Sequence, residues 1–265
     1  MNAYRRIHWF EFCDQSWIKG WLREGFMDCL SLIYMVSRPY HKFIKDILEH
    51  TQDGHICDLA TGTGESVEFV LQYLRSNNVT GNIRVVGTDL FPSHKTLENL
   101  KTKYPHFDYI AESVSAFDPP GGENWLYTMF TGFHHFKPTE AVQIIDVCLS
   151  RGQSLSVFEL GTRNSLPTLL FLPANLILMM LAPFFAKKWR WQKFVFSTLF
   201  PLIPIMHTYD GLISNLRIYT KTELQNLAAS SSHGAGVKVE YQEKRFSLFF
   251  KSYMCRFYLD SLEDA

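Results

Sequence analysis

The chain has 265 residues, 46% of them hydrophobic, so it can bury a sizeable core as one elaborated domain. Its 26 basic and 26 acidic residues balance, which argues against nucleic acid or another polyanion as the partner. The five cysteines show no CxxC pair and no Cys/His spacing typical of zinc, so we expect reduced thiols, no metal and a cytoplasmic protein.

The N-terminal segment, residues 1–50, is rich in aromatic side chains and precedes the first convincing strand. Charged residues interrupt it early, so we do not expect a signal peptide. We expect a helical cap that cannot fold alone. Trp17 is a candidate contact for a bound small molecule, and an ordinary hydrophobic cover is the alternative for this side chain.

Strands and helices alternate from residue 55 onward. Hydrophobic periodicity predicts helices at 65–75, at 93–104 and from Pro138, and strands at 55–59, 83–88, 107–111, 125–130 and 154–160. Two further β-rich segments, 237–242 and 246–257, are expected to pair antiparallel at the end of the chain. This alternation predicts an α/β fold with a doubly wound, mostly parallel sheet of seven strands.

An apolar segment interrupts this alternation. Residues 166–186 carry no charge, residues 194–206 are again apolar, and between them lies a basic cluster of Lys187, Lys188, Arg190 and Lys193. We therefore expect a cap (1–50), a core (51–164 and 207–265) and an apolar helical insert (165–206).

The insert has two interpretations. Its first uncharged run is long enough to cross a bilayer, but a single crossing would place parts of one sheet on opposite sides. A hairpin lying on the cytoplasmic membrane avoids this problem, and the basic cluster would then face the headgroups. A lid over an apolar acceptor pocket is the other interpretation, and both stay open.

A glycine-rich loop follows the first predicted strand. It reads Asp58-Leu-Ala-Thr-Gly-Thr-Gly64 and stands between a strand and a helix, where backbone can approach a ligand closely. A dinucleotide fingerprint would have a third glycine at Val67, and Glu65 places negative charge where a phosphate would bind. The expected ligand is therefore cationic rather than anionic.

This loop resembles the first motif of class I S-adenosylmethionine-dependent methyltransferases, in which an acidic residue is followed by GxGxG. Ala60 stands in the place of the first glycine. The resemblance implies a Rossmann-like fold, S-adenosylmethionine as cofactor, and an acidic residue, Asp89, that accepts hydrogen bonds from the ribose hydroxyls. It implies cofactor contacts at Asp58, Ala60, Thr61, Gly62, Gly64, Asp89, Leu90, Ser113, Val114 and Thr131.

The segment 130–136, at the end of the fourth predicted strand, is similar to that family's fourth motif, which borders the methyl group and the acceptor. His134 and His135 are the candidate catalytic residues, because a histidine can remove a proton from a hydroxyl or phenol acceptor. A packing or hydrogen-bonding role for one of them is the alternative.

Polar residues that follow the insert are candidates for the acceptor pocket. They are Asp210, Arg217 and Tyr219, and an ion pair between Asp210 and Arg217 is the structural alternative.

The sequence thus predicts methyl transfer to a small, apolar or lipid-like acceptor. The alternatives are a protein or nucleic-acid methyltransferase and a non-catalytic S-adenosylmethionine-binding module.

Overall fold

A computed structural model describes residues 6–51, 54–77, 83–122, 125–163, 166–186, 188–246 and 251–260. The chain forms two compact units. One is helical and comprises Met1–Arg38, Gly161–Ile218 and Ser247–Phe250; the other is an α/β unit of Pro39–Leu160, Tyr219–Phe246 and Lys251–Ala265.

The α/β unit contains a seven-stranded sheet. Its strands are β1 (His55–Leu59), β2 (Arg84–Thr88), β3 (Phe107–Tyr109), β4 (Trp125–Phe130), β5 (Leu155–Glu159), β6 (Val237–Arg245) and β7 (Lys251–Leu259). They are ordered β3-β2-β1-β4-β5-β7-β6. The first five strands are parallel, whereas β7 runs antiparallel to both β5 and β6. This arrangement confirms the predicted mostly parallel α/β fold.

Ten α-helices lie within the described ranges. They are α1 (Gly20–Ser37), α2 (Ile44–Glu49), α3 (Glu65–Ser76), α4 (His94–Lys103), α5 (Pro138–Ser150), α6 (Leu166–Met180), α7 (Ala182–Phe185), α8 (Trp191–Phe194), α9 (Leu202–Arg217) and α10 (Lys221–Ala229). None of them is both long enough and apolar enough to cross a membrane.

Local sequence explains the helices of the α/β unit. Helix α3 buries Val67, Val70, Leu71 and Leu74, the face that the spacing predicted. Helix α5 begins at Pro138, where a missing backbone N–H costs nothing. Helix α10 begins with a capping box between Thr220 and Glu223. The apolar faces therefore determine the packing, and the end signals determine where the helices begin.

The helical unit has its own core. Helix α1 packs against α7, α8 and α9, and the buried side chains include Ile18, Phe26, Cys29, Leu32, Met179, Ala182, Ile203 and Met206. Helix α9 crosses the boundary expected between insert and core because residues 202–217 form one continuous helix. Residues 207–218 thus belong to the helical unit and residues 39–50 to the α/β unit.

Candidate functional site

The loop between β1 and α3 turns sharply because three of its residues adopt left-handed backbone conformations. Ala60 and Gly62 each have a φ of 60°, and Gly64 has a φ of 84°. Ala60 thus takes up a conformation that favours glycine, at a cost of about 1–2 kcal/mol for a residue with a side chain. The loop therefore keeps a glycine-like turn although its first glycine is absent.

The two glycines of this loop have different surroundings. A Cβ atom added at Gly64 would lie 2.3 Å from Leu100 Cδ1, so Gly64 lets the loop pack against α4. A Cβ atom added at Gly62 would meet nothing within 4 Å. Gly62 therefore faces space that a ligand can use.

Asp89 follows β2 and is tied to this loop. The Gly62 backbone N–H donates to Asp89 Oδ2 over 2.7 Å, and the Phe91 N–H donates to Oδ1, also over 2.7 Å. A carboxylate oxygen can accept more than one hydrogen bond, so Asp89 can also accept from ligand hydroxyls. Leu90, the next residue, is exposed beside it.

Asp58 is a buried carboxyl group near the end of β1. Its Oδ1 accepts a hydrogen bond of 2.9 Å from the Thr128 hydroxyl, while its buried Oδ2 has no partner among the described residues. Burial raises its pKa to about 7, although the hydrogen bond from Thr128 lowers it. The unpaired oxygen suits a cationic or hydrogen-donating ligand.

Thr61 anchors the loop to the sheet. Its hydroxyl donates to the Asp58 carbonyl over 2.9 Å and accepts from the Thr88 N–H over 3.1 Å. The side chain of Thr61 is therefore engaged with the strands, and it stabilises the turn that presents Gly62.

The segment after β3 lies beside the residues that follow β2. The Val114 N–H donates to the Asp89 carbonyl over 2.9 Å, and the Ser113 hydroxyl donates to the Leu90 carbonyl over 2.7 Å. Four residues predicted to contact the cofactor are thus brought together.

Thr131, at the end of β4, has a strained backbone. Its φ is 50°, which is unusual for a β-branched residue. Its N–H donates to the Phe158 carbonyl over 2.7 Å, and its hydroxyl shares a hydrogen bond with the Tyr40 hydroxyl. Tyr40 is buried against the Phe130 and Phe158 rings. No sequence signal pointed to Tyr40 as part of this site.

His134 forms a pair with Glu159, the last residue of β5. Its backbone N–H donates to Glu159 Oε1 over 2.9 Å, and its Nδ1 lies 2.8 Å from Glu159 Oε2. Both side chains are buried. His135 is half-buried, and its ring centroid lies 4.3 Å from that of His134. Sequence reasoning missed Glu159, although its position as the charged last residue of a mostly apolar strand could have pointed to it.

Tyr219 belongs to the α/β unit and contacts the same turn. Its hydroxyl donates to the Phe136 carbonyl over 2.7 Å, and its ring lies 5.6 Å from that of Phe133. It therefore supports the segment that carries His134 and His135.

The other three candidates for the acceptor pocket lie in the helical unit. Trp17 is exposed, with its ring 6.1 Å from that of Phe12. Asp210 accepts hydrogen bonds of 2.7 and 2.9 Å from the Phe12 and Cys13 amides. Each of these contacts lies within the N-terminal segment or joins it to α9.

Arg217 also holds the N-terminal segment. Its Nη1 lies 3.2 Å from Glu11 Oε1 and 3.1 Å from Asp14 Oδ2. Asp210 and Arg217 therefore each have partners in residues 11–14, in place of the direct ion pair considered as their structural role.

The residues of the α/β unit share one edge of the sheet. Asp58 and Glu159 lie at the carboxyl ends of β1 and β5, while Asp89, Ser113 and Thr131 follow the ends of β2, β3 and β4. In open parallel α/β sheets, ligands bind outside the carboxyl ends of the strands. The sheet topology therefore builds one candidate site from five strands.

Comparison with known proteins tests this interpretation at the level of the fold. No family model and no curated protein matches the chain. Human N-acetylserotonin methyltransferase, solved with S-adenosylmethionine, is 14% identical, with a TM-score of 0.51 over 90% of this chain and 57% of that one.

A second structure is an O-methyltransferase from neocarzinostatin biosynthesis, solved with S-adenosylmethionine and 2-hydroxy-5-methyl naphthoic acid. It is 15% identical, with a TM-score of 0.52 over 90% of this chain and 58% of that one. The chain thus spans less than three fifths of the length of either structure. Its sheet with flanking helices nevertheless has the fold of the class I S-adenosylmethionine-dependent methyltransferases.

Proposed function

We propose that the protein transfers the methyl group of S-adenosylmethionine to a small, apolar or lipid-like acceptor. The observation that carries this proposal is the arrangement of Asp58, Gly62 and Asp89 at the carboxyl edge of the sheet. An unpaired buried carboxylate oxygen, open space over a left-handed glycine and a second carboxylate together suit a cationic ligand with donor hydroxyls.

The cofactor supplies an electrophilic methyl group on a positively charged sulfur. Asp89 would accept from the ribose hydroxyls, as a carboxylate does in a charge-assisted hydrogen bond. Leu90, Ser113 and Val114, which are joined to one another and to Asp89 by hydrogen bonds, would border the adenine, and Asp58 would favour the positive charge of the methionine part. The loop around Ala60 and Gly62 would keep the backbone close to the ligand and so hold the methyl group in line with the acceptor.

His134 and Glu159 supply the base where the acceptor must lose a proton. With Glu159 accepting from Nδ1–H, the imidazole keeps its lone pair on Nε2. That nitrogen could take the proton of an acceptor hydroxyl when the methyl group passes from the sulfonium sulfur to the hydroxyl oxygen, which would leave S-adenosylhomocysteine. Thr131 and Tyr40 hold the strand end before this histidine, so we regard both as positioning residues.

The composition of the insert supports the proposed class of acceptor. Residues 166–206 are dominated by aliphatic and aromatic side chains, which suit an apolar molecule better than a charged polymer. Both structures compared above are methyltransferases, and one contains a naphthoic acid derivative. The five cysteines show no disulfide or zinc pattern, which supports a cytoplasmic location as part of this proposal.

A non-catalytic S-adenosylmethionine-binding module is the second candidate function. It is favoured by the burial of His134, which is 1% exposed and so offers little access to an acceptor. Both candidate functions use the same cofactor site, but only a methyltransferase would transfer the methyl group to an acceptor.

We expect Asp89→Ala to weaken S-adenosylmethionine binding by about 1.5–3 kcal/mol, the range for lost hydrogen bonds to a charged group. Calorimetry with S-adenosylmethionine and S-adenosylhomocysteine measures this change, and circular dichroism verifies the fold of the variant. Unchanged affinity in a folded variant would remove Asp89 from the cofactor site.

Incubation with methyl-labelled cofactor and a fractionated cell extract then tests catalysis. We expect label in the lipid or small-molecule fraction. Label in the polymer fraction would favour a protein or nucleic-acid acceptor, and binding without label in any fraction would favour the binding module.

A further inference from the structure

We propose that the helical unit docks on the surface of a lipid bilayer by inserting a set of exposed apolar side chains. We define this docking surface by six residues: Phe184, Phe185, Trp189, Trp191, Leu199 and Phe200. They lie on α7, on α8, in the segment between these two helices, and in and just after the π-helical turn Val195–Leu199.

The exposure of these side chains is the first argument. Each is between 58% and 67% exposed, whereas large apolar residues in a folded protein are mostly buried. The elements that carry them pack against one another, and the Phe184 and Trp189 rings both lie within 6 Å of Phe194. A clustered apolar surface of this kind indicates an interaction site.

The chemistry of the segment indicates which partner covers it. Residues 160–209 contain five basic residues and no aspartate or glutamate, so nothing in the segment repels an anionic surface. Trp189 and Trp191 alternate with basic residues, a composition typical of the boundary between headgroups and acyl chains. These features favour a lipid surface over an apolar protein partner.

The basic cluster has a different role from the one expected. Arg190 donates to Glu24 over 2.6 and 3.1 Å, and the buried Lys193 Nζ lies 2.6 Å from Asp28 Oδ2. Glu24 and Asp28 of α1 therefore supply counter-charges to both side chains, and Lys193 is buried away from headgroups, whereas Arg190 is partly exposed. Lys188 is more exposed, 4.0 Å from Glu24, and Lys187 lies outside the described residues.

This pairing changes the expected mode of membrane contact. Each basic residue near an anionic surface contributes attraction that salt screens, but charges already paired within the protein contribute little of it. Apolar insertion then provides most of the binding. The inference goes beyond the proposed methyl transfer, because a docked chain binds lipid with or without turnover.

Sedimentation of the full chain with lipid vesicles tests the proposal. We expect the protein to pellet with phosphatidylcholine vesicles, and somewhat more with vesicles that also contain phosphatidylglycerol. The double variant Phe184→Ser, Phe185→Ser should partition at least about tenfold less. Met35→Ser, Val36→Ser is the matched control, because these two exposed apolar residues end α1 outside the docking surface and should leave binding unchanged.

A fluorescence measurement identifies the inserted side chains. Lipids brominated on the acyl chain should quench tryptophan emission, and Trp189→Phe, Trp191→Phe should lower the quenching while the protein still pellets. Thermal unfolding shows whether each variant is folded.

Several outcomes would overturn the proposal. Failure of the wild type to pellet with either vesicle would do so, as would equal losses in the surface and control variants. A steep loss of binding with added salt would indicate electrostatic contact in place of insertion. A change of oligomeric state in Phe184→Ser, Phe185→Ser without lipid binding by the wild type would assign the surface to a second copy of the chain. Cofactor affinity is measured separately, so failure here leaves the proposed function untouched.

Discussion

Asp58 couples the stability of the protein to pH. Burial raises its pKa from 3.8 to about 7, so the folded state keeps a proton that the unfolded state has lost between these values. The contribution of Asp58 to the free energy of unfolding therefore falls as pH rises through that range, and it stays low at higher pH. A ligand cation beside Oδ2 would favour the ionised carboxylate and release the proton.

We therefore expect the affinity for S-adenosylmethionine to rise as pH increases from about 6 to about 8, with proton release that calorimetry in buffers of different ionisation enthalpy detects. Asp58→Asn should bind more weakly and lose this pH dependence. Urea unfolding at the same pH values provides the control, since the variant should also lose the corresponding slope in stability. If the dependence of stability on pH persists in Asp58→Asn, another titrating group causes it.

His134 and His135 allow a matched comparison. We expect His134→Ala to lower turnover about a hundredfold or more for an acceptor that must lose a proton, because Glu159 orients this imidazole as the base. Cofactor affinity should be retained. His135→Ala is the neighbouring control and should have a smaller effect.

Glu159→Gln tests the orientation of the imidazole. It should lower turnover while cofactor affinity is retained, because an amide can present either an oxygen or an N–H to Nδ1 and so no longer fixes Nδ1–H as the donor. Full activity in both histidine variants would rule out base catalysis by either residue and would leave methyl transfer to alignment alone.

At the scale of elements, the two glycines of the turn between β1 and α3 have different roles, Gly62 in ligand binding and Gly64 in folding. Gly62→Val should abolish or greatly weaken cofactor binding, since its side chain enters open space beside Asp89 and resists a φ of 60°. Gly64→Ala should chiefly destabilise the fold, because its Cβ would lie 2.3 Å from Leu100 Cδ1.

Thermal unfolding and calorimetry on both variants measure these two effects. Normal cofactor affinity in Gly62→Val would contradict the role given to the loop. A loss of stability in Gly62→Val as large as that in Gly64→Ala would mean that both glycines serve folding.

The short helices of the insert depend on α1. Helix α8 has only four residues, too few to be stable alone in water. The Lys193–Asp28 and Arg190–Glu24 pairs connect it with α1. Lys193 is buried, and removing its partner Asp28 would leave an uncompensated buried charge, so this pair matters for the packing of the helical unit.

At the scale of the whole molecule, a net charge of zero conceals a local imbalance. Residues 160–209 lack acidic side chains, and Glu24 and Asp28 from α1 neutralise part of their positive charge. The large apolar side chains exposed on the docking surface are therefore expected to contribute most of the binding to lipid. Composition counted over the whole chain could not show this distribution.

The sequence by itself determined the α/β fold and the position of its glycine loop. Alternating periods of hydrophobicity fix which residues form strands and helices, and the capping box at Thr220 fixes where α10 begins. Asp89 was proposed as a cofactor residue through the resemblance to class I methyltransferases, because it stands directly after the second predicted strand, where that family has an acidic residue. These features depend on neighbours within a few residues, so they can be recognised without a tertiary structure.

Only the tertiary structure decided the partners of the polar side chains. Glu159 reaches His134 across 25 residues, Tyr40 reaches Thr131 across 91, and Arg190 reaches Glu24 across 166. Such contacts arise when the packing of strands and helices brings distant segments together, and no local pattern encodes the pairing. The same packing fixes which side chains stay buried, so it gave Asp58 its raised pKa and left several aromatic residues of the insert exposed.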